Sequence, residues 1–361
     1  MVSSAERHQT ILEVEALLNS ESWLVDGINL MPLARFTLWT EFNRGTRRPR
    51  SLRERVHSSR AGPFLSQARR RVATRETAKI PKYWHVSPKV PGTLTGVGSD
   101  EGRPLGLFVT PGNLVHSIPG LGVIDRIYSP IGRRLSHQTV RIETASMPLH
   151  PFRLGRKSKS DIRRLGRELH ACVEKSGLSH LFPDDLAVVL YSSALSAYAS
   201  RAWGRQLLDC HKRLSYLALA AWYLPGPLGL TAAFSERGIP SVDIQHGQQG
   251  PYQSMYVDWS IRWKREESLI PAEFWVWGQQ SQERISPRDC LRAPPSRIVG
   301  YPFLADLVTW TSASASFAGA ASSSSSGRRV VVALQGKHID LGGVFPEELK
   351  RFIHTYKATY I

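Results

Sequence analysis

The sequence predicts an α/β protein whose core is a parallel sheet. Short apolar segments alternate with helix-like segments from residue 105 onward, and this alternation is typical of layered α/β domains. Residues 214–245 contain a strand, a helix and a second strand within 32 residues, which favours a βαβ unit. Of the 361 residues, 42% are hydrophobic and 21% are charged, so the chain can bury a core and global disorder is excluded.

Two regions precede the predicted sheet: a helical N-terminal region at 1–43 and a basic segment at 44–104. Apolar residues recur at helical spacing over 5–19 and 31–42. Residues 44–82 hold thirteen basic and two acidic residues, a net of +11 in a chain of net charge +17. This pattern predicts a solvated basic segment, with contact to an anionic membrane surface as the second interpretation. Nucleic acid is disfavoured as a partner because aromatic interleaving and zinc-finger spacing are absent.

Residues 105–310 are predicted to form the sheet domain. Its strands are expected at 105–110, 139–143, 214–223, 240–245, 274–277 and 297–299. Its helices are expected at 160–177, 184–213, 228–237 and 279–285, the first capped by Ser160 and Asp161. The long apolar run at 214–234 contains two prolines near its middle, so it predicts a strand, a turn and a helix start rather than a membrane span.

The C-terminal part is predicted to contain a linker and the beginning of another domain. Residues 311–329 are rich in Ser and Ala, which indicates a flexible interdomain linker. Residues 330–361 then contain one strand and one helix, which cannot bury a core on their own. We expect either the first βα unit of a truncated second domain or a piece that packs onto the sheet domain as an edge.

Several kinds of site are disfavoured by what the sequence lacks. The three cysteines form neither a CxxC pair nor an even set, so a disulfide scaffold and a cysteine-built zinc site are disfavoured. HExxH, GxSxG and Walker-type motifs are absent, and neither a metal nor a bound cofactor is predicted. Residues 1–20 lack the apolar region of a secretory signal, so we expect a cytoplasmic protein.

The candidate site follows the predicted strand at 240–245. Ligands of open parallel sheets bind beyond the carboxyl ends of the strands, where His246 stands. Gly247 allows the backbone to approach a ligand closely, and a histidine there can act as a general base or donate to a phosphate. Its neighbours in this segment are Asp243, Gln245 and Gly250. The alternative is a histidine that only caps the strand end by hydrogen bonding.

Two further groups of residues leave their roles open. Tyr252 and Tyr256 could form a stacking wall for a sugar or base, or simply pack in the core. The FWVW segment at 274–277 is assigned to packing. Asp125-Arg126 and Arg133-Arg134 could bind an anionic acceptor, but ordinary surface charge explains them as well.

Five motifs carry a resemblance to a known family. They are GIPSVDIQHG at 238–247, PAEFWVWG at 271–278, VGYP at 299–302, the spaced Trp23…Gly27-Ile28…Pro32-Leu-Ala-Arg35, and the strand VVVALQ at 330–335. Together they resemble bacterial surface-carbohydrate (capsule and lipopolysaccharide) biosynthesis proteins. These proteins are glycosyltransferase-like, with two facing Rossmann-type domains in the GT-B arrangement. Tyr301 stands where their pattern has Asn.

The resemblance implies a fold and a reaction. It implies a Rossmann-like acceptor-side domain, with a nucleotide-activated sugar as donor substrate and a glycan or lipid-linked acceptor at the inner membrane face. His246 would deprotonate or orient the acceptor hydroxyl, with Asp243, Gln245, Gly247, Gly250, Tyr252 and Tyr256 forming the substrate site. A truncated second domain would leave the donor site incomplete and the chain inactive by itself.

Two other functions are kept as alternatives. The first is a glycerophosphotransferase that uses a CDP-glycerol-type donor on the same fold. The second is a non-catalytic basic module that binds membranes or nucleic acid.

Overall fold

The protein is described by a computed structural model that covers part of the chain. The described residues are 3–18, 23–42, 104–118, 122–135, 138–144, 147, 154–247, 251–258, 269–285 and 295–304. The chain divides into two units, Met1–Trp310 and Thr311–Ile361, and the second lies wholly outside the described residues. The predictions for 44–82, for the linker at 311–329, for 330–361 and for Gly250 therefore also lie outside them.

One six-stranded parallel sheet dominates the described part of the chain. Its strands are β3 (Leu105–Thr110), β6 (Gln138–Glu143), β7 (Leu214–Leu219), β8 (Ser241–Ile244), β9 (Glu273–Val276) and β10 (Ser296–Ile298). Two antiparallel hairpins accompany it: β1 (Leu24–Val25) with β2 (Ile28–Asn29), and β4 (Val115–Ile118) with β5 (Gly122–Asp125). The predicted α/β class and parallel sheet are confirmed.

The strand order is β10-β9-β8-β7-β3-β6. From β3 the chain first adds β6 on one side, and it then returns to add β7 on the other side. Strands β8, β9 and β10 continue outward from β7. This is a doubly wound order whose switch point lies between β3 and β7, and such sheets bind ligands at the carboxyl ends beside that point.

Seven helices of the described part accompany the sheet. They are α1 (Ser4–Leu17), α2 (Met31–Glu41), α3 (Tyr128–Gly132), α4 (Arg156–Lys175), α5 (Leu186–Cys210), α6 (Pro225–Ser235) and α7 (Gln279–Ile285). The predicted cap at Ser160 is wrong, because α4 already begins at Arg156, after Gly155, without a side-chain cap. The apolar run at 214–234 forms β7, a turn and α6, as predicted. No helix of the described residues combines the length and apolar character needed to cross a membrane.

Apolar residues pack on both faces of the sheet. The larger cluster contains Leu107 and Val109 of β3 together with Ile11 of α1 and Leu33 of α2, so the N-terminal helices share the core of the sheet. Alternate residues of a strand face opposite sides, and Phe108 accordingly belongs to a second cluster on the other face. This smaller cluster also contains Leu114, Ile127, Ala218, Ala220 and Ile244. It therefore packs the β4–β5 hairpin region against the ends of β7 and β8.

Candidate functional site at the carboxyl edge of the sheet

His246 lies just beyond the carboxyl end of β8, as the sequence predicts. Strand β8 ends at Ile244, and its neighbour in the sheet, β7, borders the switch point. The His246 ring is only partly exposed, and its Nε2 lies 3.5 Å from the Tyr223 hydroxyl in the loop after β7. Tyr223 was not predicted to belong to the site, because it appeared to be the last residue of an apolar strand.

The electrostatic surroundings keep His246 neutral. The pKa of His246 is lowered to about 4, chiefly by burial and to a smaller degree by the positive charge of Arg126, while the Ile244 backbone acts in the opposite direction. Within the described part of the chain, the buried Nδ1 has no partner in hydrogen-bonding geometry. At neutral pH, His246 therefore offers an uncharged imidazole that can accept or donate one proton.

Asp243 lies behind this loop and is completely buried. Its carboxylate accepts hydrogen bonds from the Trp222 backbone N–H at 3.0 Å and from the Tyr256 hydroxyl at 2.8 Å. Burial raises the pKa of Asp243 to about 8, although these two hydrogen bonds act in the opposite direction. The bond to Trp222 also fixes the turn at Ala221, whose φ of 67° is rare for a residue with a side chain.

Gln245 ties the ends of β8 and β9 together. Its side-chain oxygen accepts from the Trp277 backbone N–H at 2.7 Å, and its amide donates to the Gly247 carbonyl at 2.9 Å. The Trp277 indole N–H donates to the Gln245 carbonyl at 2.7 Å. The Trp277 ring also packs on Tyr301, with centroids 4.3 Å apart. This contact gives Tyr301 a structural role at the position where the resembled family has Asn.

The remaining predicted site residues have different surroundings. A Cβ added at Gly247 would meet nothing within 4 Å, so the backbone beside His246 borders open space. Tyr256 is 1% exposed and packs behind the loop, where its hydroxyl donates to Asp243. Tyr252 is 47% exposed, and its ring lies 6.2 Å from that of His8 in α1. The structure thus brings His246, Gly247 and the supporting Asp243 and Gln245 to one edge.

A second buried polar cluster lies on the β3 side of the switch point. Asp125 accepts hydrogen bonds from the Thr110 hydroxyl at 2.6 Å and the Arg141 Nε at 2.7 Å. It also accepts from the backbone N–H groups of Ile127 and Tyr128, both at 2.9 Å. Sequence analysis did not predict this role, although an Asp just before a short helix is a typical capping signal.

The N-terminal motif acts through a buried network. Arg35 is fully buried, lies 3.0 Å from the Glu15 carboxylate, and donates to the carbonyls of Val257 at 3.2 Å and Asp258 at 2.8 Å. Burial raises the pKa of Glu15 to about 7, and the charge of Arg35 opposes this effect. His8 Nε2 lies 2.6 Å from the Asp258 carboxylate. The network anchors the segment that carries Tyr256.

These features define the class of the protein and no more. It is an α/β protein with a Rossmann-like, doubly wound sheet and a polar site at the carboxyl edge. Within the described residues, no group of His, Cys, Asp and Glu side chains is placed to hold a metal ion. No family model, curated protein or solved structure matches the chain.

Proposed function

We propose that the protein is a glycosyltransferase-like protein of bacterial surface polysaccharide biosynthesis. It would transfer a sugar from a nucleotide-activated donor to a hydroxyl of a glycan or lipid-linked acceptor, with a GT-B arrangement of two domains. The observation that carries the proposal is the neutral His246 at the carboxyl edge of β8, beside open space at Gly247. The five motifs that resemble surface-carbohydrate transferases support the same function.

The proposed reaction uses His246 as the general base. An acceptor hydroxyl gives its proton to the imidazole while its oxygen forms a bond to the anomeric carbon. The bond from that carbon to the phosphate oxygen of the donor nucleotide breaks, and the nucleotide leaves with the electron pair. General-base assistance of this kind contributes about 10²- to 10⁴-fold in rate.

The low pKa of His246 has a consequence for this role. An imidazole with a pKa of about 4 is a weak base in the free protein. A bound diphosphate would place negative charge beside the ring, which raises its pKa toward the working pH. The substrate itself would therefore activate the base.

The groups around His246 supply rigidity rather than chemistry. Asp243 holds the loop after β7, and Gln245 joins the loops after β8 and β9 through short hydrogen bonds. A catalytic side chain needs this kind of support, because small displacements from the reacting atoms reduce the rate strongly.

Donor screening with the full 361-residue chain tests the proposal. UDP-sugars, CMP-sugars and CDP-glycerol are offered with glycan or lipid-linked acceptors, and release of the nucleotide product is measured. With the second Rossmann-type domain supplied by the same chain or by a partner, we expect turnover with a sugar donor and a loss of about 10²- to 10⁴-fold in His246→Ala. His170→Ala, on the exposed side of α4, is the matched control and should retain activity. Turnover with CDP-glycerol alone would favour the glycerophosphotransferase instead.

The pH profile separates a base from a residue that only supports the loop. In the free protein, kcat/KM should fall as the pH is lowered through about 4, because protonated His246 cannot accept a proton. The corresponding fall in kcat should lie at higher pH, since bound diphosphate raises the pKa of the ring. Turnover that is unchanged in His246→Ala would contradict the assignment.

A further inference from the structure

Arg126 lies in a loop whose position is tightly determined. Its backbone N–H donates to the Leu114 carbonyl at 3.1 Å, and the neighbouring Asp125 and Ile127 are buried. Ile127 belongs to the apolar cluster that also contains Ala220 and Ile244, which lie at the carboxyl ends of β7 and β8. The loop after β5 therefore packs beside the segment that carries His246.

Arg126 and His246 each have a buried nitrogen that lacks a partner. Within the described part of the chain, neither Arg126 Nε nor His246 Nδ1 has a partner in hydrogen-bonding geometry, and both atoms are buried. The Ile244 backbone lies near the His246 ring and raises its pKa, but it does not meet this geometry. Leaving a buried polar group unsatisfied costs about 1–3 kcal/mol, so native proteins rarely do so without a ligand or another compensation. Two such nitrogens in neighbouring segments at the carboxyl edge of the sheet give a ligand unused hydrogen-bonding capacity on both sides.

The chemistry of the two nitrogens selects the class of partner. Arg126 Nε always carries a hydrogen, and His246 Nδ1 carries one in one of the two neutral tautomers. A group with several acceptor oxygens and negative charge satisfies both nitrogens at once and pairs with the guanidinium. Phosphate has these properties.

The place in the fold agrees with this chemistry. Arg126 approaches from the β3 side of the switch point, and His246 approaches from the β8 side. Crevices between the two halves of a doubly wound sheet are where such folds bind phosphate-containing ligands. The buried Asp125 beside Arg126 is engaged by Arg141, so its charge is already paired.

We infer that Arg126 and His246 together bind a phosphate group at the carboxyl edge of the sheet, beside the switch point. The phosphate belongs either to the diphosphate of a nucleotide donor or to a phosphate that links an acceptor to a lipid. The inference does not rest on the proposed transfer reaction, because phosphate binding is measured without turnover. The two proposals can therefore fail separately.

The first experiment titrates the full chain with inorganic phosphate at neutral pH and about 0.15 M salt, where weak attraction by the net positive charge is screened. Binding is followed through the ¹⁵N resonances of the histidine side chains. We expect saturable binding that shifts His246, and a weakening of about 10- to 100-fold in Arg126→Gln, which removes a charged hydrogen-bond donor.

Two variants control the experiment. Arg167→Gln makes the same charge change at an exposed position of α4 and should bind phosphate like the wild type. His246→Asn keeps a side-chain donor near the position of Nδ1 and should bind more tightly than His246→Ala. Equal binding by Arg126→Gln and Arg167→Gln, or a titration without saturation, would overturn the inference.

A second pair of titrations identifies the source of the phosphate. Tighter binding of UDP or CMP than of inorganic phosphate, lost in Arg126→Gln, assigns the site to the nucleotide donor. Binding to vesicles that contain a polyprenyl phosphate, lost in the same variant, assigns it to the acceptor. Phosphate binding that persists while no donor is turned over, even with the second Rossmann-type domain supplied, would refute the transferase and support the phosphate site.

Discussion

Two buried aspartates lie at the carboxyl edge of the sheet, and their surroundings differ in one respect. Asp125 accepts a hydrogen bond from the buried guanidinium of Arg141 at 2.7 Å, together with three neutral donors. Asp243 accepts from two neutral donors and has no ion pair within the described residues. The negative charge of Asp125 is therefore balanced by a cation. Burial disfavours the charged form of Asp243, and no cation within the described residues offsets this effect.

This difference shows which part of the edge can respond to its environment. An aspartate paired with a buried cation is a fixed structural element, because losing either partner leaves an isolated buried charge. Burial raises the pKa of an aspartate when no cation offsets the lost hydration, and the pKa of Asp243 is raised to about 8 accordingly. His246, three residues further on, also has a strongly shifted pKa, and such shifts concentrate at functional sites.

Removing Arg141, the cation paired with Asp125, should cause the largest fall in the free energy of unfolding. Arg141→Met leaves the buried Asp125 carboxylate without its charged partner, so we expect the free energy of unfolding to fall by about 3–5 kcal/mol. Urea unfolding followed by circular dichroism measures the change. Arg133→Met, at an exposed position, should change it by less than about 0.5 kcal/mol. Equal stabilities for the two variants would show that the buried ion pair is not needed.

Asp243→Asn should change how stability depends on pH. The folded-state pKa of Asp243 is about 8, above the ordinary value of 3.8, so the folded state binds more protons between these values. The contribution of Asp243 to stability is therefore fully present below pH 3.8 and is lost as pH rises toward 8. Asparagine does not titrate, so the variant should gain stability relative to the wild type over this window, on the order of a few kcal/mol.

The measurement is a series of urea unfolding curves for both proteins from pH 4 to pH 9. His246 titrates in both chains, so its opposite dependence cancels in the difference. A difference between the two proteins that does not change with pH would mean that Asp243 is not neutral in the fold.

Tyr256→Phe tests how much the hydrogen bond from the Tyr256 hydroxyl to Asp243 contributes to stability. Tyr256→Phe removes one of its two hydrogen-bond donors, and we expect a loss of about 1 kcal/mol at neutral pH. The loss should be larger above pH 8, because the charged carboxylate then needs the donor more. Tyr252→Phe, at an exposed ring, should leave stability unchanged at every pH. Equal losses in both variants would exclude a specific role for Tyr256.

Most of the sheet could be predicted from sequence because its strands are apolar and bounded by turn residues. The bounds of β3 and α7 agree with prediction, at 105–110 and 279–285. The β4–β5 hairpin was not predicted, since two mixed strands of four residues each carry too little periodicity. The early start of α4 also had no signal, because its first turn consists of Arg, Lys and Ser without a side-chain cap.

The candidate site could be predicted only where it comes from one segment. Asp243, Gln245 and His246 lie close together in the sequence at the end of one strand, so the prediction of that strand also predicts where these three residues lie. The proximity of Arg126 to His246 depends instead on the strand order, which places β7 beside β3. Long-range pairing of this kind leaves no trace in a local pattern. The sequence identified Arg126 and His246 as separate candidates for contact with an anion, but it could not bring the two residues together.

Substitution of Gly247 by Ala should give the smallest change in stability. It therefore distinguishes an effect on ligand binding at the carboxyl edge from an effect on folding. An added Cβ would meet nothing within 4 Å, so Gly247→Ala should change the free energy of unfolding by less than about 0.5 kcal/mol. Gly229→Ala is the contrast, since its Cβ would lie 2.0 Å from the Ala197 carbonyl oxygen in the contact between α5 and α6.

If a ligand approaches the backbone beside His246, the methyl group added in Gly247→Ala should weaken phosphate or donor binding in a protein that is as stable as the wild type. Calorimetric titration of both proteins at the same pH measures this effect. Unchanged binding would place the ligand on the Arg126 side of the ring, away from the Gly247 backbone.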